Sequence, residues 1–270
     1  MPRFGEMAVS AVICCDLDGV VWLGPEPIPG SAAALTALGR AGRRVAYLTN
    51  NSSRTPAAVV SQLGAMGVEA QEADVLTSAQ SAAHLIASLV APRGRVLACA
   101  GEGVRRALED VGLRAIDTGP ADAVVVGYHA SFDYDSIDRA ATALRGGALF
   151  VATNLDPTYP GPERPLPGAG SLVAAVATAA GREPRVAGKP AAPMAALVRA
   201  RVGDDGIIVG DRPSTDGAMA RVLDWPFALV LSGVTRADGD SSGGGETMPD
   251  PSPDFVAADL AALVPQLLAS

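Results

Sequence analysis

Histidine and cysteine are scarce in this chain, with two and three residues in 270. No Cys-x-x-Cys pair occurs and only His84 and His129 could join one, which excludes a zinc site. Three cysteines are too few for a disulfide framework. Cys14 and Cys15 adjoin inside one apolar run and Cys99 sits in another, so all three are expected as buried thiols. Basic runs are missing as well. A net charge of −8, with arginines only in small pairs such as Arg43-Arg44 and Arg105-Arg106, excludes a nucleic-acid surface. No apolar stretch approaches the roughly 20 residues of a membrane span. Residues 1–10 lack the basic start and apolar core of a signal peptide. A soluble, cytoplasmic protein is the expectation. No Gly-x-Ser-x-Gly elbow is present.

What remains is rich in Ala, Val and Leu, and 49% of the residues are apolar. Short apolar runs alternate with helical patterns. Strands are expected at 12–15, 45–48, 96–100, 123–126, 149–152, 207–209 and 228–231. Thr55-Pro56 reads as an N-cap followed by proline at the first helical position, with Gly67 at the far end. Pro190 and Pro193 open another helix running toward Gly203, and residues 255–268 read as a final helix. This rhythm predicts an α/β protein with a Rossmann-like, doubly wound parallel-sheet core. Polar clusters at strand ends lie near both ends of the chain. The middle reads as a second α/β domain inserted into the first. The expected division is core at 1–77, cap at 78–184 and core again at 185–270. Residues 237–253, rich in Gly, Ser and Asp, read as a surface loop.

Four clusters can carry chemistry. Asp16-Leu17-Asp18-Gly19 leaves the first strand with two carboxylates on one side. One can serve as nucleophile while the other, held protonated, serves as acid. Calcium loops and plain acidic turns use the same pattern. Thr49-Asn50-Asn51-Ser52-Ser53 follows the second strand and offers donors suited to phosphoryl oxygens, or else an Asx turn that caps the next helix. Lys189, in Gly188-Lys189-Pro190, is either a fixed ammonium for a phosphate or solvated surface. Asp211 and Asp216 follow the strand at 207–209 and supply the hard oxygen ligands that magnesium prefers.

Taken in order, these motifs resemble the haloacid dehalogenase superfamily, class IIA, the NagD-like and p-nitrophenylphosphatase-like group. Asp16–Val20 with Trp22, Thr49–Ser52, Gly188–Pro190, and Gly210-Asp211 with Thr215-Asp216 match its four motifs. Ala152-Thr153-Asn154-Leu155-Asp156 and Leu166-Pro167-Gly168-Ala169-Gly170-Ser171 resemble its cap segments. Pro213-Ser214 and Gly217 depart from the aliphatic residues usual there, so the shape of that loop is expected to differ while its ligands stay.

The resemblance implies a Mg²⁺-dependent phosphoric monoester hydrolase acting through an aspartyl-phosphate. Asp16 would be the nucleophile and Asp18 the acid and base. The metal ligands would be Asp16, the carbonyl of Asp18, and Asp211, with Asp216 orienting water or Lys189 from behind. Thr49, Asn50, the Asn51 backbone and Lys189 would hold the phosphoryl group. Asp18 disfavours dehalogenation, which needs no such acid. Glycerol 3-phosphate is the first substrate candidate, with pyridoxal phosphate and sugar phosphates as alternatives. A phosphometabolite-binding protein without turnover is the alternative of another class. The cap suits a homodimer interface, and its residue His129 is a candidate substrate contact. Gly101-Glu102-Gly103 mimics a dinucleotide motif but lacks a ribose-binding acid in context.

Overall fold

The computed structural model describes residues 12–161, 163–235 and 252–269. The expected loop at 237–253 lies outside them except for its last two residues, and so do residues 1–10. In chain order the first strands are β1 (Val12–Cys15), β2 (Trp22–Leu23), β3 (Glu26–Pro27), β4 (Val45–Thr49) and β5 (Val75–Thr77). Next come β6 (Arg95–Cys99), β7 (Arg114–Ile116), β8 (Ala123–Val126), β9 (Leu149–Ala152) and β10 (Thr158–Tyr159). The last are β11 (Leu166–Pro167), β12 (Arg185–Val186), β13 (Gly206–Gly210), β14 (Phe227–Val230) and β15 (Phe255–Ala257). The helices begin with α1 (Ser31–Arg40), α2 (Pro56–Ala65), α3 (Ser78–Ala87) and α4 (Glu102–Asp110). They continue with α5 (Tyr134–Arg145), α6 (Ala169–Ala180), α7 (Ala192–Val202), α8 (Ala218–Leu223) and α9 (Leu260–Ala269).

Two parallel sheets organise these elements. The core sheet has the order β15-β14-β13-β1-β4-β5, and the cap sheet β12-β9-β8-β6-β7. Both faces of the core sheet are covered, which is why β1 is apolar at every position. Ile13 and Cys15 pack with Leu35, Leu38, Leu63 and Leu263 from α1, α2 and α9. Val12 and Cys14 point the other way, onto Met194 and Val198 of α7 and Met219 of α8. The cap repeats the scheme. Val96 and Val125 meet α3 and α4, while Leu97 and Val124 meet α5 and α6. The three cysteines are free and buried. Among the described residues no helix is long and apolar enough to cross a membrane.

Local signals act as their chemistry predicts. Thr55 Oγ1 accepts the Ala58 amide at 3.2 Å and caps α2. Gly67 takes a left-handed conformation just past its end. The departure is at residues 255–268. Phe255–Ala257 forms a parallel edge strand against β14, and the helix begins only at Leu260. The Asp254 carboxylate accepts the Phe227 amide at 2.8 Å and pins that strand to its neighbour. Both sides of Asp259 are apolar, and that concealed the switch, because a short apolar run fits either period.

Candidate active site

Register brings the predicted residues together. β1 lies between β4 and β13, with Cys15 opposite both Tyr47 and Val209. Asp16, Thr49 and Asp211 therefore sit at one carboxyl edge of three adjacent strands. This is also where the strand order reverses, the position at which open α/β sheets bind ligands. Gly19 turns the chain out of this edge at φ +91°, where an added Cβ would fall 2.3 Å from Asp211 Oδ2. Only glycine meets both demands. The turn then brings Trp22 back, and its indole nitrogen donates to Asp18 Oδ1 at 3.1 Å.

Lys189 is the hub. Its ammonium donates to Asp16 Oδ1 at 3.0 Å, Asp216 Oδ1 at 2.6 Å and the Leu48 carbonyl at 3.0 Å. All three N–H groups are thereby used. Asp216 Oδ2 also accepts the Arg212 amide at 3.2 Å, and Asp211 Oδ2 accepts the Val234 amide at 2.6 Å. Pro213–Gly217 forms one π-helical turn, the local form taken by the loop in which the sequence departs from the motif. Burial would lower the Lys189 ammonium, but Asp16 and Asp216 outweigh it and raise it instead. Burial pushes the Asp16 carboxyl well up despite Lys189, with Asp216 and Asp211 adding to the rise. Asp211 is pushed up to about 7 by burial and then by Asp216. Asp18 rises through burial, opposed by the Trp22 hydrogen bond. Several buried carboxylates thus share one ammonium. Oxygens of Asp16, Asp211 and Asp216 lie within 4.8 Å of one another, a hard, anion-rich donor set that fits a small divalent cation.

The loop after β4 forms the Asx turn. Asn51 Oδ1 accepts Ser53 N at 3.1 Å and Ser53 Oγ at 2.7 Å, and Thr49 Oγ1 accepts Asn51 N at 2.9 Å. Asn50 differs from expectation. Its amide nitrogen donates to Asp156 Oδ2 and the Lys189 carbonyl, and its oxygen accepts the Lys189 amide at 2.8 Å. That side chain ties three loops together and has no donor left for a phosphoryl group. Thr49, Asn51 and Lys189 line a cavity of about 260 Å³ together with Asp16, Asp18 and Asp211.

Its far wall comes from the cap. Tyr128 and Tyr159 meet through their hydroxyls at 3.2 Å, with rings edge-to-face, and Asp156 lies beside Asn50. Arg54 and Arg212 also line the cavity. Asp156 stood inside a cap segment that the resemblance singled out, whereas no sequence signal marked Tyr128. His129 does not reach this cavity and lines another. The two glycines of the dinucleotide-like motif serve docking. Gly103 N donates to the Ser53 carbonyl at 3.1 Å, and a Cβ there would lie 2.3 Å from the Arg54 carbonyl. Together they let α4 abut the core loop.

Residues 13–114 match the family model for haloacid dehalogenase-like hydrolases, and residues 186–263 match a HAD-hydrolase-like model. The D-glycerol 3-phosphate phosphatase of Mycobacterium tuberculosis is 43% identical over 227 residues, which span 82% of this chain and 63% of that protein. This chain thus spans somewhat less than two thirds of that relative. A glycerol phosphate phosphatase from the same organism, solved with magnesium, superposes with a TM-score of 0.83 at 38% identity. That match covers 96% of this chain and 78% of the other. The p-nitrophenyl phosphatase of Archaeoglobus fulgidus gives a TM-score of 0.84 at 27% identity, covering 95% and 99%. With the motifs gathered at one sheet edge beneath an α/β cap, the chain belongs to the haloacid dehalogenase-like hydrolase family, in its NagD-like branch.

Proposed function

We propose that this protein is a magnesium-dependent phosphatase that hydrolyses a small phosphate monoester, glycerol 3-phosphate first among candidates. The observation that carries the reading is Lys189 held between Asp16 and Asp216 beside Asp211. That cluster leaves buried negative charge for a cation and one fixed positive charge for a phosphoryl group. Asp16, Asp211 and the Asp18 carbonyl are the ligands we assign to magnesium. When bound, the ion offsets the repulsion between the Asp16 carboxylate and an anionic phosphate.

The residues divide the work as follows. Asp16 attacks phosphorus, forming the aspartyl-phosphate as the bond to the leaving alkoxide breaks. Asp18 gives that alkoxide a proton, a task its raised pKa favours. It then takes a proton from the water that hydrolyses the acyl phosphate. The Thr49 hydroxyl, which accepts the Asn51 amide and keeps its own proton to give, donates to the phosphoryl oxygens, while the Lys189 ammonium, its three N–H groups already paired, offsets the charge that spreads over them in the transition state. Asp216 holds Lys189 in place. The cap, residues 78–184, closes over the substrate and excludes water. A cavity of about 260 Å³ falls just below the usual range of ligand pockets, roughly 300–1,000 Å³, and favours a three-carbon ester over a nucleotide. Pyridoxal phosphate and sugar phosphates belong in the same assay panel. Three buried, unpaired thiols suit a reducing compartment, and we assign the protein to the cytoplasm.

The test is phosphate release from glycerol 3-phosphate with and without magnesium, for the native protein and Asp16→Asn. The variant should fold and lose turnover by roughly 10⁴-fold or more. Near-native hydrolysis by Asp16→Asn would end the assignment.

A further inference from the structure

Tyr128 and His129 are sequence neighbours that face different cavities. The second cavity, about 320 Å³, is lined by Cys99, Gly101, Arg105, His129, Asp133 and Arg139. It opens at the carboxyl ends of β6 and β8. The cap strand order reverses there, with β7 on one side of β6 and β8 on the other. The cap therefore has its own switch-point crevice, equivalent to the one that holds the active site in the core. Nothing in the phosphatase mechanism uses it.

Its polar groups are incompletely satisfied. His129 Nε2 is shut off from solvent and has no hydrogen-bond partner among the described residues. A buried polar atom left so is costly and points to a missing partner. Burial lowers the His129 imidazole below its ordinary value, so the ring is neutral at pH 7. Arg139 makes a long bond of 3.4 Å to Ser136 Oγ, and Arg105 pairs with Asp117 through one nitrogen. Their remaining N–H groups can bind an anion. Burial raises the Cys99 thiol to about 11, so it is no nucleophile.

The charge pattern narrows the ligand. Asp117 and Asp133 share the lining with the two arginines. A phosphate dianion would meet both carboxylates. A carboxylate monoanion takes two parallel bonds from one guanidinium, and a neighbouring hydroxyl or ammonium answers the aspartates. We propose that the cap carries a second ligand site, for a small hydroxy- or amino-carboxylate, in which Arg139 and Arg105 bind the carboxylate and His129 Nε2 meets the polar substituent.

Two histidines in the chain make the test direct. His129 and His84 ring resonances are followed by NMR in the full-length protein during titration with L-serine and D-glycerate. A saturable shift of His129 with His84 unmoved is expected for at least one of them. Arg139→Gln and Arg105→Gln should each weaken it by about tenfold or more. Both should keep phosphate-ester hydrolysis and the His84 signal. No saturable shift with either compound, or a shift unchanged in both variants, overturns the proposal. So does a shift abolished by excess glycerol 3-phosphate, which would put the ligand in the catalytic cavity.

Discussion

Lys189 Nζ sits 2.6 Å from Asp216 Oδ1, with both side chains almost wholly buried. Such a pair contributes little over an apolar replacement of both partners, but removing one partner leaves an uncompensated charge at a cost of about 3–5 kcal/mol. Here the ammonium serves two carboxylates, Asp16 as well as Asp216. Lys189→Met should therefore destabilise the metal-free protein by roughly 3 kcal/mol at pH 8. At pH 5 the stranded Asp16 carboxyl, which burial already pushes well up, protonates more readily and the loss should shrink. Urea unfolding at the two pH values measures both, and an equal loss at each would contradict the ion-pair account.

With the ligand set proposed above, Asp211 should set the pH dependence of magnesium binding. Its carboxyl is pushed up to about 7 by burial and by Asp216. The unfolded chain releases that proton near pH 4. The folded, metal-free protein keeps it to higher pH, so this group lowers stability as pH rises from about 4 to about 7. Magnesium competes with the proton and reverses the sign. Thermal unfolding should show a larger magnesium-induced rise in Tm at pH 8 than at pH 5.5. A rise that is the same at both would remove Asp211 from the ligand set.

The role proposed for Asp18 comprises two tasks that two substrates can separate. A glycerol leaving group is a poor one and needs a proton, whereas p-nitrophenolate leaves without help. Asp18→Asn should slow glycerol 3-phosphate hydrolysis by roughly 10²–10⁴-fold. With p-nitrophenyl phosphate it should release a rapid burst and then turn over slowly, because the water attacking the phosphorus of the aspartyl-phosphate has lost its base. Stopped-flow absorbance resolves the burst. Equal, burst-free losses on both substrates would leave Asp18 without the assigned role.

Much of this was legible before any coordinates. Buried parallel strands announce themselves as unbroken apolar runs, and the residues immediately after them are the ones the sheet edge collects. That is why Asp16, Thr49 and Asp211 could be read from β1, β4 and β13. Edge strands are less visible. β5, β7 and β12 have only two or three residues each, too few to establish a period. The tie between Asn50 and Asp156 was hidden for a different reason. Their bond joins residues 106 positions apart, and only the folded chain reveals that Asn50 is spent on holding loops together. His129 lay one residue from a cavity-lining tyrosine, and which of the two faces the substrate is a matter of backbone direction after β8.

At Gly103 the cap leaves no room for a side chain against the core. A Cβ there would lie 2.3 Å from the Arg54 carbonyl and 2.6 Å from the Ser52 carbonyl, both backbone atoms that cannot swing aside. Gly103→Ala must push α4 off the loop that carries Asn51 and Arg54 into the catalytic cavity. Overpacking of this kind costs about 1–3 kcal/mol. The variant should lose that much stability and show a raised KM for glycerol 3-phosphate, since the cap wall with Tyr128 and Asp156 shifts with α4. Gly39→Ala is the matched control. It lies in α1, its Cβ would meet nothing within 4 Å, and there the change should stabilise by about 0.5–1 kcal/mol. Denaturant titration and steady-state kinetics on the two variants separate contact from helix propensity. An unchanged KM in Gly103→Ala would mean that the α4 joint does not position the cavity wall.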